Sequence, residues 1–385
     1  MPFYLALKEI WRGRGRFILF SSVIALITVL VLFVAALAEG LGSGNREYLE
    51  KLNADLIVYQ SNVDLSVGAS RLGVDRLSEV RRVPGVQTVG PIGTASAALI
   101  LGDDRKPLNV ALIGVEPGLP GEPPALKGAG LRSRRSKEAV IDRQTALRAG
   151  LGVGDTLTVK SIQDSKEQFY NLRVVGISDN RQFSLQPSVF VPISTWDEIR
   201  PQAAIGGNPD AEVVANVIGV QVANPAEAAA VAKRIERDVK DVVAVDRVTA
   251  YEATPGYSAQ QSTLDTQGYF ALLIGVLVIG GFFQILTLQK VAQIGMLKAI
   301  GASNMTVGLA SIIQIIVVTV IGVFIGAVVT FLLSLSFPPT IPIVFAPSAV
   351  WTAVLSLLLI GPIGGLVSVR YSLKVEPLTA LGLAS

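Results

Sequence analysis

The residue types that usually carry catalysis are scarce in this sequence. Among 385 residues there is no histidine and no cysteine, which excludes Ser-His-Asp triads, cysteine nucleophiles and the usual Cys/His zinc sites. Carboxylates such as Asp103, Asp104 and Asp142 stand at predicted turns and helix starts, so we interpret them as turn or cap residues rather than acid–base pairs. The sequence predicts no catalytic centre, no metal site and no cofactor in this chain.

A glycine-rich run at residues 40–44 has the composition of a phosphate-binding loop but not its context. No predicted strand precedes it, no Gly-Lys-Ser follows it, and a long apolar run lies directly before it. We therefore predict that the chain binds neither nucleotide nor nucleic acid. The glycines at this point indicate a helix break or the exit of the chain from a membrane.

The most distinctive polar stretch is residues 289–303. It places Lys290 and Lys298, with no acidic residue, between two long apolar runs. Three apolar residues follow one another there at helical spacing: Ile294, Leu297 and Ile300. Two interpretations fit this pattern. The stretch is either a connector whose lysines mark a membrane surface, or a short helix that docks onto another protein.

The elements that must hold this stretch are membrane helices. Hydrophobic residues make up 50% of the chain and charged residues 16%, with a mean hydropathy of +0.53, whereas soluble domains carry charge on about a quarter of their residues. About 20 apolar residues in helix span a bilayer. We predict four membrane helices, at residues 17–38, 269–288, 307–335 and 348–369, the last two joined by an uncharged, proline-rich loop at residues 336–347.

Residues 1–16 predict an amphipathic helix on the membrane surface. Their aromatic and aliphatic residues recur at 3–4 spacing, and four basic residues accompany them. The apolar run at residues 17–38 could belong to a secretory signal. It is longer than the roughly 7–15 apolar residues of a signal peptide, so we predict a membrane anchor rather than a cleaved leader.

Lysine and arginine flank the predicted spans unevenly. Four lie in residues 1–16, two in residues 289–306, two in residues 370–385 and none in residues 336–347. The positive-inside rule then places both termini and the 289–306 segment in the cytoplasm and residues 39–268 outside. This arrangement predicts the cell inner (plasma) membrane as the location.

Residues 39–268 have the pattern of a soluble α+β domain. Short runs such as residues 86–89 and 95–101 have strand character, and residues 74–83 have helical spacing. We predict two lobes, one of them a mostly-β insertion at about residues 105–210. The predicted fold class is a membrane α-helical protein with four transmembrane helices, both termini inside, and a large extracytoplasmic α+β domain between the first and second helices.

Polar residues within or beside the spans are further candidates: Thr28, Glu39, Gln284 and Gln314. A polar side chain facing lipid is costly. We therefore expect these residues to face a neighbouring helix, a second copy of the chain or a substrate pathway. Interhelical hydrogen bonding is the simplest of these roles.

Residues 293–303 resemble the E-I-G-x-x-[KR]-A-x-G-A-[ST] signature of the MacB/FtsX-like ABC transporter permeases. The matching residues are Ile294, Gly295, Lys298, Ala299, Gly301, Ala302 and Ser303. Gln293 stands where the family usually has Glu, so an ionic contact made at that position is not implied for this chain. The resemblance extends to residues 5–12, to residues 375–381 and to the layout of one span, a large domain and three spans.

The resemblance implies a homodimeric permease that works with a dimer of separate ABC-type ATPase subunits, which bind ATP and Mg. The implied coupling residues are Gln293, Ile294, Gly295, Leu297, Lys298, Ala299, Ile300, Gly301 and Ala302. Closure of the ATPases would move this element and extrude substrate by mechanotransmission. A membrane-fusion adaptor is a further partner that such permeases can have.

Residues 40–45 and the segment that follows them resemble DevC-like permeases and the related haem-exporter permeases. Haem export is therefore an alternative function, although only a tyrosine or a carboxylate such as Glu39 could ligate iron from the outer side. Two further functions fit the same topology. One is that of an FtsX-like regulator that transmits force to an envelope hydrolase, and the other is that of a membrane-anchored adhesion or sensor protein without an ATPase.

Overall fold

The computed structural model describes residues 2–102, 105–163, 166–201, 213–337, 341 and 343–374. The chain divides into a helical unit, Met1–Gly40 with Gln261–Ser385, and a sheet unit, Leu41–Gln260. The family-like residues 375–381 and the acids Asp103 and Asp104 lie outside the described residues.

Most of the helical unit is built from long helices, and most of the shorter helices belong to the sheet unit. In chain order the helices are α1 (Pro2–Arg12), α2 (Arg14–Glu50), α3 (Val74–Arg81), α4 (Arg143–Ala149), α5 (Ile193–Ile199), α6 (Ala228–Asp238), α7 (Arg247–Glu252), α8 (Tyr257–Gln289), α9 (Val291–Ala299), α10 (Asn304–Ser334) and α11 (Pro347–Lys374). Within the described residues, four helices are long and apolar enough to cross a membrane: α2, α8, α10 and the first part of α11. The prediction of four transmembrane helices is confirmed.

Helices α2 and α8 extend well beyond the predicted spans. Of the two alternatives at residues 40–44, a helix break is wrong, because α2 continues without interruption to Glu50. A Cβ added to Gly44 would lie 3.0 Å from both Gln182 Oε1 and Leu185 Cδ2. Glycine at this position therefore permits close packing within the sheet unit, and it does not end the helix.

The helical unit has one apolar core to which α2, α8, α10 and α11 all contribute. Two glycines of α10 lie against α2 at very short range. A Cβ on Gly326 would lie 2.5 Å from Thr28 Cβ, and one on Gly322 would lie 2.6 Å from Ile24 Cβ. Small residues four apart let helix backbones approach in this way, so Gly322 and Gly326 fix the crossing of α10 with α2.

The sheet unit contains the strands of the chain. They are β1 (Leu56–Gln60), β2 (Leu72–Gly73), β3 (Val86–Ile100), β4 (Leu108–Val115), β5 (Ala125–Gly128), β6 (Glu138–Ile141), β7 (Thr156–Gln163), β8 (Lys166–Ser178), β9 (Ser188–Pro192), β10 (Val213–Ala215), β11 (Val217–Val222) and β12 (Val242–Asp246). Among the described residues, ten strands form one mixed sheet in the order β12-β1-β11-β3-β4-β9-β6-β8-β5, with β7 paired to β3 and β8, while β2 and β10 pair separately. With its helices, this sheet confirms the predicted α+β class.

The two ends of the large sheet carry separate apolar cores. One combines β1, β11 and β12 with α3 and α6, and the other combines β4 and β6–β9 with α5. Strand β3 is continuous where the sequence predicted two strands, and it pairs with β11 near its start and with β4 and β7 farther along. The limits of an inserted lobe at about residues 105–210 stay a prediction.

Candidate functional site

The candidate site is α9 together with the turn that connects it to α10. The Ala302 N–H donates to the Leu297 carbonyl at 2.9 Å, and the Gly301 N–H donates to the Lys298 carbonyl at 3.1 Å. These two bonds define a Schellman motif, which requires a left-handed residue after the helix. Gly301 supplies it with a φ of +97°, a value that glycine adopts without a Cβ penalty.

Helix α10 begins directly after this turn. The Ser303 side chain accepts a hydrogen bond from the Thr306 N–H at 3.2 Å and caps the new helix. Such a cap satisfies a backbone donor that would otherwise have no partner in the first helical turn. The connection between α8 and α10 therefore contains the short helix α9, which ends in a Schellman motif, and it leads directly into the capped start of α10.

The predicted coupling residues divide between the faces of α9. Ile294 and Gly295 are buried, Leu297, Lys298 and Ala302 are half-buried, and Gln293, Ala299, Ile300 and Gly301 are exposed. Ile294 and Leu297 line a cavity of about 70 Å³ together with residues of α8 and α10. Two of the three apolar residues expected to dock therefore face the protein's own helices.

A different set of apolar residues is exposed at this end of the unit. The exposed fractions are 58% for Met296, 78% for Ile300 and 74% for Met305. We call these three residues the exposed apolar set. Ile300 was among the predicted coupling residues, but neither methionine was. Met296 and Ile300 stand four residues apart and so share a helix face. Ile294 and Leu297 also have helical spacing, so the sequence did not show which of the two faces is exposed.

A polar network connects α1 to the start of α9 and to α10. Lys290 Nζ lies 2.5 Å from Glu9 Oε1 and 3.5 Å from Gln314 Oε1. The Gln314 amide nitrogen donates to the other carboxylate oxygen of Glu9. The Lys290 side chain is only 12% exposed, and its ammonium group also lies 5.5 Å from the centre of the Phe17 ring. We call Glu9, Lys290 and Gln314 the three-residue network.

This network contains one of the predicted polar residues of the spans. Gln314 was expected to face a neighbouring helix, a second copy of the chain or a substrate pathway, and its partners Glu9 and Lys290 belong to the same chain. It makes an interhelical contact within one chain. The sequence could not identify these partners, because 305 positions separate Glu9 from Gln314.

The remaining span candidates lie apart from one another. Thr28 is fully buried against Gly326 of α10, and its hydroxyl donates to the Ile24 carbonyl at 2.8 Å. Glu39 is half-buried on α2, and Gln284 is exposed on α8. The structure therefore does not bring Thr28, Glu39, Gln284 and Gln314 together into one site.

Asp142 of the sheet unit is a helix cap, as its sequence context predicted. Its carboxylate accepts a hydrogen bond from the Thr145 N–H at 2.6 Å at the start of α4. The side chain is fully buried, and burial raises the pKa of the Asp142 carboxyl to about 6. Within the residues that the structure describes, no group of three or more Asp or Glu side chains could hold a metal ion.

Comparisons with known proteins cover nearly the whole chain. The family model of the MacB-like periplasmic core domain matches residues 17–238, and that of the FtsX-like permease C-terminal domain matches residues 268–377. Together they match both the sheet-containing region and helices α8 to α11, which follow it.

Several relatives are similar over their full length. A putative hemin transport system permease protein HrtB from Staphylococcus haemolyticus is 25% identical over 98% of this chain and 99% of the relative. The corresponding protein from Staphylococcus epidermidis is 26% identical with the same coverage. An uncharacterized ABC transporter permease from Mycobacterium bovis is 22% identical, also over 98% and 99%. The solved periplasmic region of MacB from Actinobacillus actinomycetemcomitans is 16% identical over 51% of this chain and 90% of that chain, with a TM-score of 0.35.

Proposed function

Because the chain belongs to the MacB/FtsX-like family of ABC transporter permeases, we propose that it extrudes a substrate with energy from separate ATPase subunits that dock on α9. The positive-inside rule places α9 on the cytoplasmic side, where ATP is available. The sheet unit then lies outside. Two copies of the chain would pair with two ATPase subunits, as expected for this family.

The exposed apolar set carries the docking proposal. Its three side chains are each more than half exposed, and they lie at the lysine-bearing end of the apolar helices. Burying a large apolar side chain contributes about 1.5–3 kcal/mol, so three such residues can anchor a stable contact. Ile294 and Leu297 would support the contact from behind by fixing the position of α9 against α8 and α10.

Transmission of force would use the three-residue network. It links α1 and α10 to the junction of α8 and α9 through Lys290. A displacement of α9 by the ATPase would then be passed to α1, α8 and α10 together. The substrate would be moved on the outer side of the membrane, without nucleotide binding to this chain.

Co-purification tests the docking proposal. An affinity-tagged chain with Met296→Ser and Ile300→Ser should lose an ABC-type ATPase subunit that the unmodified chain retains. Leu335→Ser is the matched control, since Leu335 is 70% exposed at the other end of α10. Equal retention by all three proteins would contradict the proposal, and so would a chain that retains no ATPase in any form, as an adhesion or sensor protein would.

Hemin is the substrate candidate that the relatives favour, because two relatives that match over nearly their full length are named putative hemin transport system permease proteins. The helical unit has a compatible feature in an open groove of about 650 Å³ between α2 and α8, near the start of α8. Apolar residues such as Leu30, Phe270 and Ile274 line it together with hydroxyl and amide side chains. Pockets of this size and composition bind drug-sized molecules.

ATPase stimulation separates the substrate candidates. In the reconstituted complex, hemin should stimulate ATP hydrolysis, and Phe270→Ala should raise the hemin concentration needed for half-maximal stimulation. Lipids, peptides and drugs are the comparison compounds. Stimulation by none of them, together with co-purification of an envelope hydrolase, would favour the FtsX-like regulatory function instead.

A further inference from the structure

The sheet unit contains a cavity that the coupling mechanism does not use. Its volume is about 550 Å³, and it is open to solvent on one side. Its wall is formed within the sheet unit by the loop at residues 65–68, strand β3, strand β4, the turn at residues 183–186, residues 254–260 and Asn45 of α2. Cavities of this volume bind molecules of drug-like size.

The wall of the cavity is neutral, because no charged side chain occurs among the described residues that line it. Hydroxyl and amide groups come from residues such as Ser66, Ser96, Thr254 and Gln186, and the rest of the wall is mainly aliphatic, with one phenylalanine. The wall therefore offers neutral hydrogen-bonding groups beside apolar surface, and it lacks a counter-charge for an ionic ligand.

The turn at residues 183–186 forms part of this wall in a costly conformation. Phe183 and Gln186 exchange backbone hydrogen bonds of 3.1 and 3.0 Å around a two-residue loop. The loop residues Ser184 and Leu185 have φ values of +50° and +61°. A tight hairpin of this kind prefers Asn-Gly, and a left-handed conformation costs a residue with a Cβ about 1–2 kcal/mol.

Two consecutive residues with positive φ also occur in a second loop of the wall. Leu65 lines the cavity with a φ of +55°, and Asp64 beside it has a φ of +48°. Aspartate tolerates this conformation better than most residues, but leucine does not. Backbone strain of this kind persists mainly where function requires the side chain, as in ligand clamps. Two leucines, Leu65 and Leu185, are thus held in unfavourable conformations in the wall of one cavity.

We propose that this cavity is a binding site for an uncharged amphipathic molecule of about 20–30 non-hydrogen atoms, with a hydroxyl- or amide-rich head and a short apolar part. The hydroxyls of Ser66, Ser96 and Thr254 bind the polar head. Leu65 and Leu185 clamp the apolar part from two sides. The site is separate from α9 and from the groove between α2 and α8.

The uncharged wall disfavours anionic ligands. The described wall contains no lysine or arginine to pair with a carboxylate. Placing an unpaired carboxylate against this wall carries a desolvation cost. The site therefore selects against anions whichever substrate the transporter extrudes.

The absence of cysteine from the chain permits a direct test. Gly68 lies at the exposed edge of the cavity, and a Cβ added there meets nothing within 4 Å. The full-length Gly68→Cys protein in lipid nanodiscs is labelled with an environment-sensitive bimane. It is titrated with octyl glucoside below its micellar concentration, and with octyl glucuronide, which has the same ring and chain but a carboxylate in place of the hydroxymethyl group.

We expect a saturable fluorescence change with the glucoside, at a half-saturating concentration at least about tenfold below that of the glucuronide. Ser96→Trp, which fills the cavity from β3, should abolish the change. Thr156→Trp, at an exposed strand position on β7 outside the cavity, should leave it intact. A non-saturable response, equal responses to the two amphiphiles, or an unchanged response in Ser96→Trp would overturn the proposal.

A second variant separates function from folding. Ser184→Asn with Leu185→Gly installs the residues that the tight hairpin prefers. It should raise the stability of the protein while raising the half-saturating glucoside concentration, because the Leu185 side chain is lost. Tighter or unchanged binding in this variant would show that Leu185 is not part of a ligand clamp.

Discussion

Replacing Lys290 by methionine tests whether α1 is held by the three-residue network. Methionine keeps the length and apolar stem of lysine, so it removes the charge and the hydrogen-bond donors with little change in packing. Glu9 would lose its cationic partner, and Gln314 would lose one of its two partners in the network. The expected result is a weakened attachment of α1.

The size of the effect follows from the geometry. Two unit charges 2.5 Å apart attract each other by about 6–7 kcal/mol at an effective dielectric constant of 20, but desolvation of the buried lysine offsets much of this. The Glu9 side chain is 35% exposed, so water both screens the pair and rehydrates the carboxylate after the substitution. We therefore expect Lys290→Met to cost about 1–3 kcal/mol.

A double-mutant cycle measures the interaction itself. Lys290→Met, Glu9→Gln and the double variant are unfolded in mixed micelles of dodecyl maltoside and SDS, and helix content is followed by circular dichroism. The pair should show a coupling energy of about 1–2 kcal/mol. Trypsin cleavage at Arg12 and Arg14 should become faster in each variant, because α1 packs less firmly against α10.

Lys8→Met is the matched control. Lys8 is an exposed lysine of α1 whose Nζ lies 5.6 Å from the centre of the Tyr4 ring, so its replacement removes the same charge from the same end of the protein without touching the network. A coupling energy indistinguishable from zero would refute the reasoning. An equal loss of stability in Lys8→Met would show that net charge, and not the network, sets the effect.

Three further predictions concern single positions. Gly301→Ala should lower stability by about 1–2 kcal/mol in the same micelle assay, because φ is +97° there, whereas Gly281→Ala, at an open position on α8, should not. Gly326→Val should separate α10 from α2 and lower stability in the same assay by more than Gly281→Val does, because a Cβ on Gly326 would lie 2.5 Å from Thr28 Cβ whereas one on Gly281 meets nothing within 4 Å. Equal stability of these two variants would count against the tight crossing. Burial raises the pKa of Asp142 to about 6, above the ordinary value of an aspartate, so the folded state favours the protonated acid and the stability of the sheet unit should fall by about 3 kcal/mol as pH rises from about 4 to about 6. Denaturant unfolding measures this change, and Asp142→Asn should show no such dependence on pH. A wild-type stability that rises over this pH range would contradict the prediction.

Features that depend on local pattern could be read from the sequence alone. The four membrane helices were predictable because uncharged apolar runs of that length have one stable form in lipid. The helical character of residues 291–299 was visible in apolar spacing, and Gly301 marked the end of α9 because a left-handed turn favours glycine. Asp142 was recognisable as a cap from its place before a helix.

Features that depend on which surfaces meet required the folded chain. The pairs Ile294–Leu297 and Met296–Ile300 both have helical spacing. Only the packing of α8 and α10 shows that Ile294 is buried and Ile300 exposed. The glycines of residues 40–44 indicated either a helix break or the exit of the chain from a membrane, and only the structure shows that α2 continues through them, with Gly44 closely packed. The three-residue network joins positions 9, 290 and 314, and the cavity of the sheet unit joins loops that are more than 100 residues apart. A local pattern specifies the conformation of a segment, but partners distant in the chain are fixed only when the folded backbone brings them together.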